Sequence, residues 1–355
     1  MTLSETGLGN LLKSDLDHML NLSEHSFRAL TDSRILFTGG SGFVGKWLLS
    51  SLLHANKTFG LGMTFVVISR SKTRLLNELR LEDLSQIEVW EIDLQSEPKS
   101  SSPYGYSYSH MIHLATPTTK ASGNDDVANL KSATINGLRL MVNLAEQSIS
   151  PPTLLHTSSG AVYGQGGRLK KFIDETELAS DPEALTEYGT IKLEAEEFVK
   201  KSTHEGKING TNPRLFTFFG PHLSYDDYAI GNFLRDVTTS DVINVKGHPQ
   251  SRRSYLYPTD LVDILLQLLA SPVKSPFNVG SKDEVTMAEL ANEIASHFMA
   301  KKIVYSLEEQ IPNHYVPSIK TIEDKFNFTP SITLSEGIQK WIWWKKIQDL
   351  RNFTS

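Results

Sequence analysis

Apolar residues along this chain form two alternating patterns, short continuous runs and longer stretches with helical spacing. The short runs are RILFT (34–38), MTFVVIS (63–69), IEVWEID (87–93), HMIHLA (110–115) and TLLHTSS (153–159). Stretches with helical periodicity, such as residues 127–146 and 187–201, separate most of them. Strands that are apolar at nearly every position, alternating with helices, are typical of a parallel sheet covered on both faces. The pattern therefore predicts an α/β fold with a doubly wound parallel sheet.

The two ends of the chain differ from this central pattern. Residues 11–30 carry apolar side chains at helical spacing and predict a helical extension that packs on the outside of the main fold. After Arg214 the alternation loosens, which predicts a smaller α/β lobe. We therefore expect an extension over residues 1–33, a dinucleotide-binding domain over 34–220 plus 258–280, and a substrate lobe over 221–257 plus 281–355.

A glycine-rich turn, TGGSGFVG, follows the first predicted strand and opens a helix. Gly39 allows a tight turn, Gly42 allows the backbone to approach a pyrophosphate, and Gly45 allows the helix to pack closely on the strand. The unpaired N–H groups of the first helical turn, which holds Phe43 and Val44, attract phosphate. This context predicts a Rossmann-type site for NAD or NADP.

The end of the second strand bears on the choice between the two dinucleotides. An acidic side chain there would bind the adenosine ribose and repel a 2′-phosphate, but the chain has Ser69, Arg70 and Lys72. A guanidinium at this place either binds a 2′-phosphate or lies flat on adenine, so the residues favour NADP slightly. Asp93, after the third strand, is a candidate acceptor for the adenine amino group. The predicted cofactor site also includes Leu94, Leu114, Ala115 and Thr116.

A candidate catalytic set lies after the glycine turn. Tyr188 and Lys192 are four residues apart in a predicted helix, which puts them on one face. A nearby ammonium lowers the pKa of a phenol from about 10 and favours its use as a base. Ser159 ends a strand at the carboxyl edge of the sheet, where sites in open parallel sheets form, and is a candidate to hold the reacting oxygen. Alternatively, Ser158 and Ser159 only cap the strand end.

Seven motifs in order carry a family resemblance: TGGSGFVG, IHLA, SSGAVYG, YGTIKLEAE, RLFTFFGP, RRSYLYPTDLV and FNVGS. Together they resemble the extended short-chain dehydrogenase/reductases, and more narrowly the NAD-dependent epimerase/dehydratase family that acts on nucleotide sugars. The resemblance runs from about Arg34 to Trp344. It implies a catalytic triad of Ser159, Tyr188 and Lys192, with the last two also contacting the cofactor.

The resemblance further implies a nucleotide-diphosphate sugar as substrate and a homodimer as the assembly. Arg253 is expected at the diphosphate, which suits the bidentate geometry of a guanidinium and the basic neighbours Lys246 and His248. Ser159 and Thr217 complete the expected substrate-binding set. Thr217 departs from the family, which often has asparagine at that position, and Ser318 replaces a usual aspartate.

A third departure narrows the reaction. Family members that remove water across carbons 5 and 6 carry an Asp–Glu pair where this chain has Gly160 and Ala161. The first expectation is therefore a 4-epimerase that uses Tyr188 as acid and base. An NADPH-dependent reductase of a 4-keto nucleotide sugar is the next alternative. A 4,6-dehydratase and a non-catalytic NAD(P) sensor follow, and the intact triad disfavours the sensor.

Composition excludes several other classes. The chain of 355 residues has no cysteine, so it has neither a thiolate nucleophile nor a disulfide. A net charge of -6 with both signs interspersed does not favour nucleic-acid binding. No metal site, membrane span or secretory signal is visible, so we expect a cytoplasmic protein. The terminal WIWWKKIQDLR could contact a membrane or a partner, but the spacing of its apolar residues favours packing.

Overall fold

Six parallel strands form the central sheet of the fold. The computed structural model describes residues 11–79, 85–96, 106–116, 124–164, 171–177, 184–298, 302–306 and 311–354. The chain divides into one unit of residues 1–159, 187–214 and 262–277 and a second of residues 160–186, 215–261 and 278–355. Residues 1–10 of the predicted extension lie outside the described residues.

Strands and helices alternate along most of the chain. The strands are β1 Arg34–Thr38, β2 Thr64–Ser69, β3 Ile87–Glu91, β4 His110–His113, β5 Thr153–His156, β6 Ser158–Ser159, β7 Asn209–Thr211, β8 Pro213–Leu215, β9 Val242–Lys246, β10 Arg252–Ser254, β11 Phe277–Val279, β12 Glu284–Thr286, β13 Lys302–Ser306 and β14 His314–Tyr315. The helices are α1 Lys13–Leu22, α2 Glu24–Ala29, α3 Phe43–Phe59, α4 Lys72–Leu79, α5 Asn124–Ala145, α6 Glu187–His204, α7 Ala229–Thr239, α8 Pro258–Ala270, α9 Met287–Ser296, α10 Lys320–Phe326 and α11 Leu334–Thr354.

The sheet of the first unit has the strand order β3-β2-β1-β4-β5-β7, and every neighbouring pair is parallel. Its four inner strands are almost entirely buried, as the continuous apolar runs predicted. The order reverses direction at β1, so a crevice forms between the carboxyl ends of β1 and β4. The predicted Rossmann-type α/β fold is confirmed.

The N-terminal extension forms α1 and α2 and packs against α3. Its apolar side chains at helical spacing are buried: Leu11, Leu12, Leu16, Met19, Phe27 and Leu30. The Ser23 hydroxyl also donates a hydrogen bond of 2.7 Å to the buried Asp263 carboxylate in α8. Packing and a buried polar contact thus fix the extension to the rest of the first unit.

The second unit contains two small sheets. Strands β9 and β13 pair in parallel, and β10 lies between β12, to which it is antiparallel, and β14, to which it is parallel. Helix α9 begins with a capping box, in which the Thr286 hydroxyl accepts from the Glu289 N–H and the Glu289 carboxylate accepts from the Thr286 N–H. This unit contains Arg253, on β10.

The tryptophans near the C-terminus pack inside the second unit. Trp341 is fully buried and stacks on Tyr225 with ring centroids 5.4 Å apart, and Trp344 contacts the ring of His222 at 4.8 Å. Only Trp343 of the three is exposed. Packing, rather than a free aromatic face, therefore explains the apolar spacing of this segment. Among the described residues, no helix has the length and apolarity required to span a bilayer.

Candidate active site

The turn between β1 and α3 needs glycine at two positions for reasons visible in the protein. Gly39 has a φ of +76°, and a Cβ there would lie 2.6 Å from the Ala115 nitrogen. A Cβ at Gly45 would collide with the carbonyl oxygen of Gly39. Gly42, the residue before α3, has an ordinary φ of -73°, and its Cβ would meet protein only at 3.4 Å. Neither the backbone conformation nor the packing requires glycine at 42. The open space beside this residue suits a ligand that approaches the backbone closely.

The first turn of α3 completes this anion-binding geometry. Phe43 and Val44 follow Gly42 directly, and no side chain caps the helix N-terminus. Its N–H groups and the positive end of the helix dipole suit a pyrophosphate. The residues present therefore fit a dinucleotide.

The end of β2 places two cations in solvent. Arg70 and Lys72 are exposed, and Arg70 makes no ion pair with any described residue. Ser69 is half-buried, and its hydroxyl accepts a hydrogen bond of 3.3 Å from the Ser71 N–H. The Lys72 N–H donates to the Glu91 carboxylate at 2.9 Å, so a carboxylate fixes the backbone at this turn. That hydrogen bond uses the Lys72 backbone, so the side chains of both Arg70 and Lys72 are available to a ligand at this edge.

The loops after β3 and β4 hold the remaining predicted cofactor residues. Asp93 is exposed and its carboxylate accepts from the Gln95 N–H at 3.0 Å, while Leu94 beside it is buried. Leu114 and Ala115 lie against Gly39, as its Cβ distances show. Thr116, the next residue, contacts the side chain of Lys192. The β4 loop therefore contacts both the glycine turn and Lys192 of the predicted catalytic set.

Tyr188 and Lys192 share one face of α6. The Lys192 ammonium nitrogen lies 5.7 Å from the centre of the Tyr188 ring. It donates hydrogen bonds to the Thr116 hydroxyl at 2.9 Å and to the Thr157 carbonyl oxygen at 2.8 Å. Lys192 is only 2% exposed, and burial lowers its pKa from 10.5 to about 7, while the Glu196 carboxylate opposes that change. A lysine in this environment changes charge near neutral pH.

The two serines of β6 have different surroundings. Ser158 is buried and donates a hydrogen bond of 2.5 Å to the Glu196 carboxylate. Ser159 is half-buried, at the carboxyl end of β6. Ser158 is thus engaged by Glu196, and Ser159, the predicted catalytic serine, is the more exposed of the two.

A buried ion pair, which the sequence did not predict, supports α6, the helix that carries Tyr188 and Lys192. Arg214 donates to both carboxylate oxygens of Glu196, at 2.9 and 2.7 Å, and both side chains are almost completely buried. Glu196 lies one helical turn after Lys192, and Arg214 is on β8. The pair therefore connects α6 to β8, and through Ser158 to β6. In the sequence, the spacing of four residues puts Glu196 on the same helix face as Lys192. Nothing in the sequence marks Arg214 as the partner of Glu196.

Two buried histidines, His113 and His156, are close enough to Lys192 for its charge to lower the pKa of both rings. His113 and His156 stack with ring centroids 5.3 Å apart, and both are fully buried. His113 donates from Nε2 to the Thr134 carbonyl oxygen at 3.0 Å, so its Nδ1 accepts from the Thr38 hydroxyl at 2.8 Å. Burial, with a smaller effect of the Lys192 charge, lowers the pKa of His113 to about 3. Both rings are therefore neutral at neutral pH, because burial lowers the pKa of His156 as well.

The second unit has a cavity of about 300 Å³ that contains the predicted substrate residues Thr217 and Arg253. Its lining includes Thr217, Tyr228, Lys246, His248, Arg253 and Tyr315. The Arg253 guanidinium donates to the carbonyl oxygens of Arg252 at 2.8 Å and Asn313 at 3.3 Å, which fixes its position. The cavity lining thus combines the basic side chains with aromatic rings, and it also includes the Asp227 carboxylate. Among the described residues, no cluster of three or more His, Asp or Glu side chains could hold a metal.

Residues 35–280 match the profile of the NAD dependent epimerase/dehydratase family. The chain belongs to this family. It is therefore an enzyme of the extended short-chain dehydrogenase/reductase type, as the motif series implied.

Curated relatives include several decarboxylases of a nucleotide sugar. UDP-glucuronic acid decarboxylase 1 of Arabidopsis thaliana is 26% identical over 336 residues, which cover 90% of this chain and 70% of that protein. The protein of the same name from Danio rerio is 26% identical over 321 residues, covering 87% of this chain and 72% of that one.

Solved structures with the same fold include an epimerase from Methanothermobacter thermautotrophicus (TM-score 0.77, 19% identity, 93% of this chain and 98% of that chain). UDP-glucose 4-epimerase from Thermotoga maritima matches with a TM-score of 0.73 and 18% identity over 91% of this chain and 100% of that chain. A dTDP-glucose 4,6-dehydratase from Bacillus anthracis, in complex with NAD, matches with a TM-score of 0.70 and 18% identity over 88% of this chain and 96% of that chain. At these identities the structures establish the fold.

The departures from the family pattern have distinct surroundings. Gly160 and Ala161 begin a 3-10 turn over Gly160–Tyr163, and neither offers an acid or a base. Thr217 lines the cavity of the second unit. The backbone of Ser318 is held on both sides, since its N–H donates to the Ile173 carbonyl at 2.8 Å and its own carbonyl accepts from the Asn278 side chain at 3.2 Å. Backbone hydrogen bonds therefore hold this segment where the family usually has aspartate.

Proposed function

We propose that this enzyme transiently oxidises C4 of a nucleotide-diphosphate sugar, with 4-epimerisation as the first candidate reaction. One observation carries the proposal: Lys192 is buried next to Tyr188 on α6, while positions 160 and 161 carry no carboxylate. The buried Lys192 beside Tyr188 supports proton transfer at a hydroxyl group. The absence of a carboxylate at positions 160 and 161 disfavours removal of water, which needs an acid and a base at the neighbouring carbons.

Each residue of the triad has a separate task in this scheme. Tyr188 removes the proton of the C4 hydroxyl and later returns it. The Lys192 ammonium stabilises the phenolate of Tyr188, and the hydrogen bonds to Thr116 and Thr157 hold it in place. Ser159 donates a hydrogen bond to the reacting oxygen. A bound nicotinamide would supply the hydride acceptor and donor that the side chains lack.

NAD is the dinucleotide we propose. The matching family is NAD dependent, and dehydratases with this fold have been solved with NAD. The slight preference for NADP, which rested on Arg70 and Lys72, finds no support in these comparisons. Arg70 is exposed and makes no ion pair with any described residue, so it can lie flat on the adenine ring instead. Gly39, Gly42 and Gly45 with the first turn of α3 would hold the pyrophosphate, and Asp93 the adenine.

The substrate we propose is a UDP sugar. Arg253 is suited to bind a diphosphate, and Lys246 and His248 add to the basic character of the same cavity. Several relatives and structural neighbours carry names with UDP-linked sugars. Thr217, on the same lining, would contact the substrate through its hydroxyl.

Decarboxylation of a UDP-linked uronic acid is the second candidate. It is favoured by the names of the curated relatives, which are 22 to 26% identical to this chain over 86% or more of its length. Oxidation at C4 of such a sugar produces a β-keto acid, which loses carbon dioxide and leaves an enolate. C5 of the enolate then takes a proton from water or from a protonated side chain before C4 is reduced again. The same triad then serves both candidates. The third candidate is reduction of a 4-keto nucleotide sugar. In that reaction only the reduction at C4 takes place, without the preceding oxidation.

One experiment separates these candidates. The purified protein is denatured and its released nucleotides identified by mass spectrometry, and the intact protein is incubated with UDP-glucose and UDP-glucuronate and the products followed by NMR. We expect stoichiometric NAD and formation of either a C4 epimer or a pentose sugar with carbon dioxide. Consumption of added NADPH by a 4-keto sugar, with no bound cofactor, would instead establish the reductase. Absence of any dinucleotide binding would refute the proposal.

The homodimer implied by the family resemblance remains a prediction. We expect it to form through α5 and α6, which pack against each other and are joined on their exposed side by an ion pair of 2.8 Å between Lys131 and Glu194. Light scattering after size exclusion tests it. A dimer has twice the mass of 39.7 kDa of one chain, and a single-chain mass would refute the prediction.

A further inference from the structure

The backbone around Thr116, in the loop after β4, is tied to β1 and to the glycine turn. The Thr116 N–H donates to the Leu114 carbonyl oxygen at 2.8 Å, and the Leu114 N–H donates to the Thr38 carbonyl oxygen at 3.3 Å. The Ala115 N–H donates to the Thr38 hydroxyl at 3.4 Å. A Cβ at Gly39 would lie only 2.6 Å from the Ala115 nitrogen, so the loop packs directly on the turn. These contacts fix the place from which the Thr116 side chain extends.

The Thr116 hydroxyl is a partner of the Lys192 ammonium. Among the described residues, Lys192 donates hydrogen bonds to two groups, the Thr116 hydroxyl at 2.9 Å and the Thr157 carbonyl oxygen at 2.8 Å. An ammonium has three N–H groups, so these contacts use two of them and leave one for Tyr188 or for a ligand. Thr116, Thr157 and Lys192 all belong to the first unit.

The contact with Thr116 depends on the charge of Lys192. An ammonium has no lone pair, so the Thr116 hydroxyl accepts from it. A hydrogen bond from a charged donor is about twice as strong as one between neutral groups. The contact therefore favours the ammonium over the neutral amine.

The burial of Lys192 acts against its charge. The side chain is 2% exposed, and burial lowers its pKa to about 7. The Glu196 carboxylate opposes this decrease, but it is also paired with Arg214. An acceptor that contacts the ammonium directly therefore has its largest effect near neutral pH. The titratable groups that the described residues bring to Lys192 are Tyr188 and Glu196 on α6, His113 on β4 and His156 on β5.

We propose that Thr116 is a positioning residue, whose hydroxyl fixes the Lys192 side chain beside Tyr188 and keeps it charged. The inference rests on the proposed function, in which the Lys192 ammonium stabilises the phenolate of Tyr188. It adds to the triad a side chain that acts through Lys192. Because the Thr116 backbone is tied to the glycine turn, this hydroxyl also connects the dinucleotide site to the acid–base pair.

Thr116→Val tests the contact, because it replaces the hydroxyl by a methyl group of similar size. The pKa of Lys192 is measured in the cofactor-free protein by NMR of isotopically labelled lysine, and Lys192→Met assigns the signal. We expect the pKa of Lys192 to fall by about 0.5 to 1 pH unit in Thr116→Val, since the lost hydroxyl favours the charged form. Thr116→Ser keeps the hydroxyl and should retain the wild-type pKa.

A second measurement follows the effect to the reaction. The pH dependence of kcat is determined with the UDP sugar that the wild-type enzyme converts. Activity decreases as the pH rises through the pKa of Lys192, because the neutral amine no longer stabilises the Tyr188 phenolate. In Thr116→Val this decrease should occur at a lower pH, by the same amount as the pKa falls, and Thr116→Ser should behave as the wild-type enzyme.

Thr203→Val is the matched control for both measurements. Thr203 is a half-buried threonine of α6, as Thr116 is half-buried in its loop. Its hydroxyl donates to the Val199 carbonyl oxygen at 2.8 Å and accepts from the Gly210 N–H at 3.1 Å. Loss of this hydroxyl should leave both the pKa of Lys192 and the pH dependence of kcat unchanged.

The outcomes separate this inference from the proposed function. An unchanged pKa of Lys192 in Thr116→Val would overturn the inference, and so would a loss of kcat that is equal at every pH or that also occurs in Thr116→Ser. The NMR titration uses no substrate, so it decides whether Thr116 controls the charge of Lys192 even if no UDP sugar is converted. A wild-type protein that binds no dinucleotide and converts no UDP sugar would overturn the proposed function instead.

Discussion

The ammonium nitrogen of Lys192 lies 5.7 Å from the centre of the Tyr188 ring, on one face of α6. Its hydrogen bonds to Thr116 and Thr157 fix it from the sheet side, so the cation stays beside the phenol. A cation beside the Tyr188 phenol suits that side chain to act as an acid–base group. Substitution of either side chain should therefore have a measurable effect.

Tyr188→Phe should strongly reduce turnover while leaving the fold intact. Only the phenolic oxygen is lost, and acid–base catalysis by one group contributes about 10²- to 10⁴-fold to the rate. We expect kcat to decrease by a factor of about 10² to 10⁴ and Tm to remain unchanged. Steady-state kinetics with the active UDP sugar measure the effect, and Tyr305→Phe is the control, since Tyr305 is an exposed tyrosine on β13. Normal turnover by Tyr188→Phe would remove Tyr188 from the mechanism.

The lowered pKa of Lys192 predicts a pH dependence of stability. In the unfolded chain this lysine has its ordinary pKa of 10.5, and in the folded protein its pKa is about 7. Between these values the unfolded state binds more protons, so the contribution of Lys192 to the free energy of unfolding rises with pH. The slope is at most about 1.4 kcal/mol per pH unit.

The matched variant is Lys192→Met, which keeps an unbranched side chain and removes the charge. We expect the free energy of unfolding of the wild-type protein, minus that of the variant, to increase from pH 7 to pH 10 in urea titrations of the cofactor-free protein. A difference that stays constant over this range would show that the pKa of Lys192 is not lowered by folding.

The buried Glu196–Arg214 pair should be necessary for the stability of the first unit. Arg214→Met leaves an unpaired buried carboxylate, and breaking such a pair costs about 3–5 kcal/mol. Lys200→Met is the control, since it breaks an exposed pair with Glu197 at 3.2 Å and should change the free energy of unfolding by less than about 1 kcal/mol. Urea titration measures both. Equal small losses would contradict a structural role for the buried pair.

Gly42→Ala should separate dinucleotide binding from folding. The new methyl group meets the protein only at 3.4 Å, so Tm should not change, while the approach of a pyrophosphate is blocked. We expect the Kd for NAD to rise at least about 10-fold, equivalent to about 1.4 kcal/mol. Gly45→Ala is the contrast, because its methyl group collides with the backbone of Gly39 and should lower Tm. Unchanged NAD affinity in Gly42→Ala would place the pyrophosphate elsewhere.

Arg253→Met should weaken substrate binding without affecting NAD. A charged hydrogen bond contributes about 1.5–3 kcal/mol, so we expect KM for the UDP sugar to rise about 10- to 100-fold. Arg252→Met is the neighbouring control, because that guanidinium pairs with Glu284 at 3.1 Å. An equal rise in KM for both variants would indicate a general effect of charge rather than a diphosphate contact.

The sequence predicted the elements whose signals are local. The parallel sheet followed from strands with continuous apolar runs, and the dinucleotide turn from three glycines between a strand and a helix. The packing of Trp341 and Trp344 followed from helical spacing. Each signal extends over a few residues, so this one sequence is sufficient to find it.

The features that the sequence did not predict depend on contacts between distant segments. Glu196 and Arg214 are 18 residues apart and meet only because α6 and β8 pack together. Tyr315 fills the volume next to Gly160 from a strand near the other end of the chain. The extent to which burial lowers the pKa of Lys192 likewise depends on the loops around it. The spacing of four residues between Tyr188 and Lys192 does not indicate how deeply Lys192 is buried.

Transfer of the hydride at C4 is the central claim, and an isotope at that carbon tests it most directly. The protein is incubated with UDP-glucose and UDP-glucuronate that carry deuterium at C4, and the products are examined by NMR and mass spectrometry. If C4 is oxidised and reduced again by the same bound dinucleotide, the product retains deuterium at C4 in an epimer or a decarboxylated sugar. Loss of the deuterium to solvent, or a product formed by elimination of water, would contradict this account.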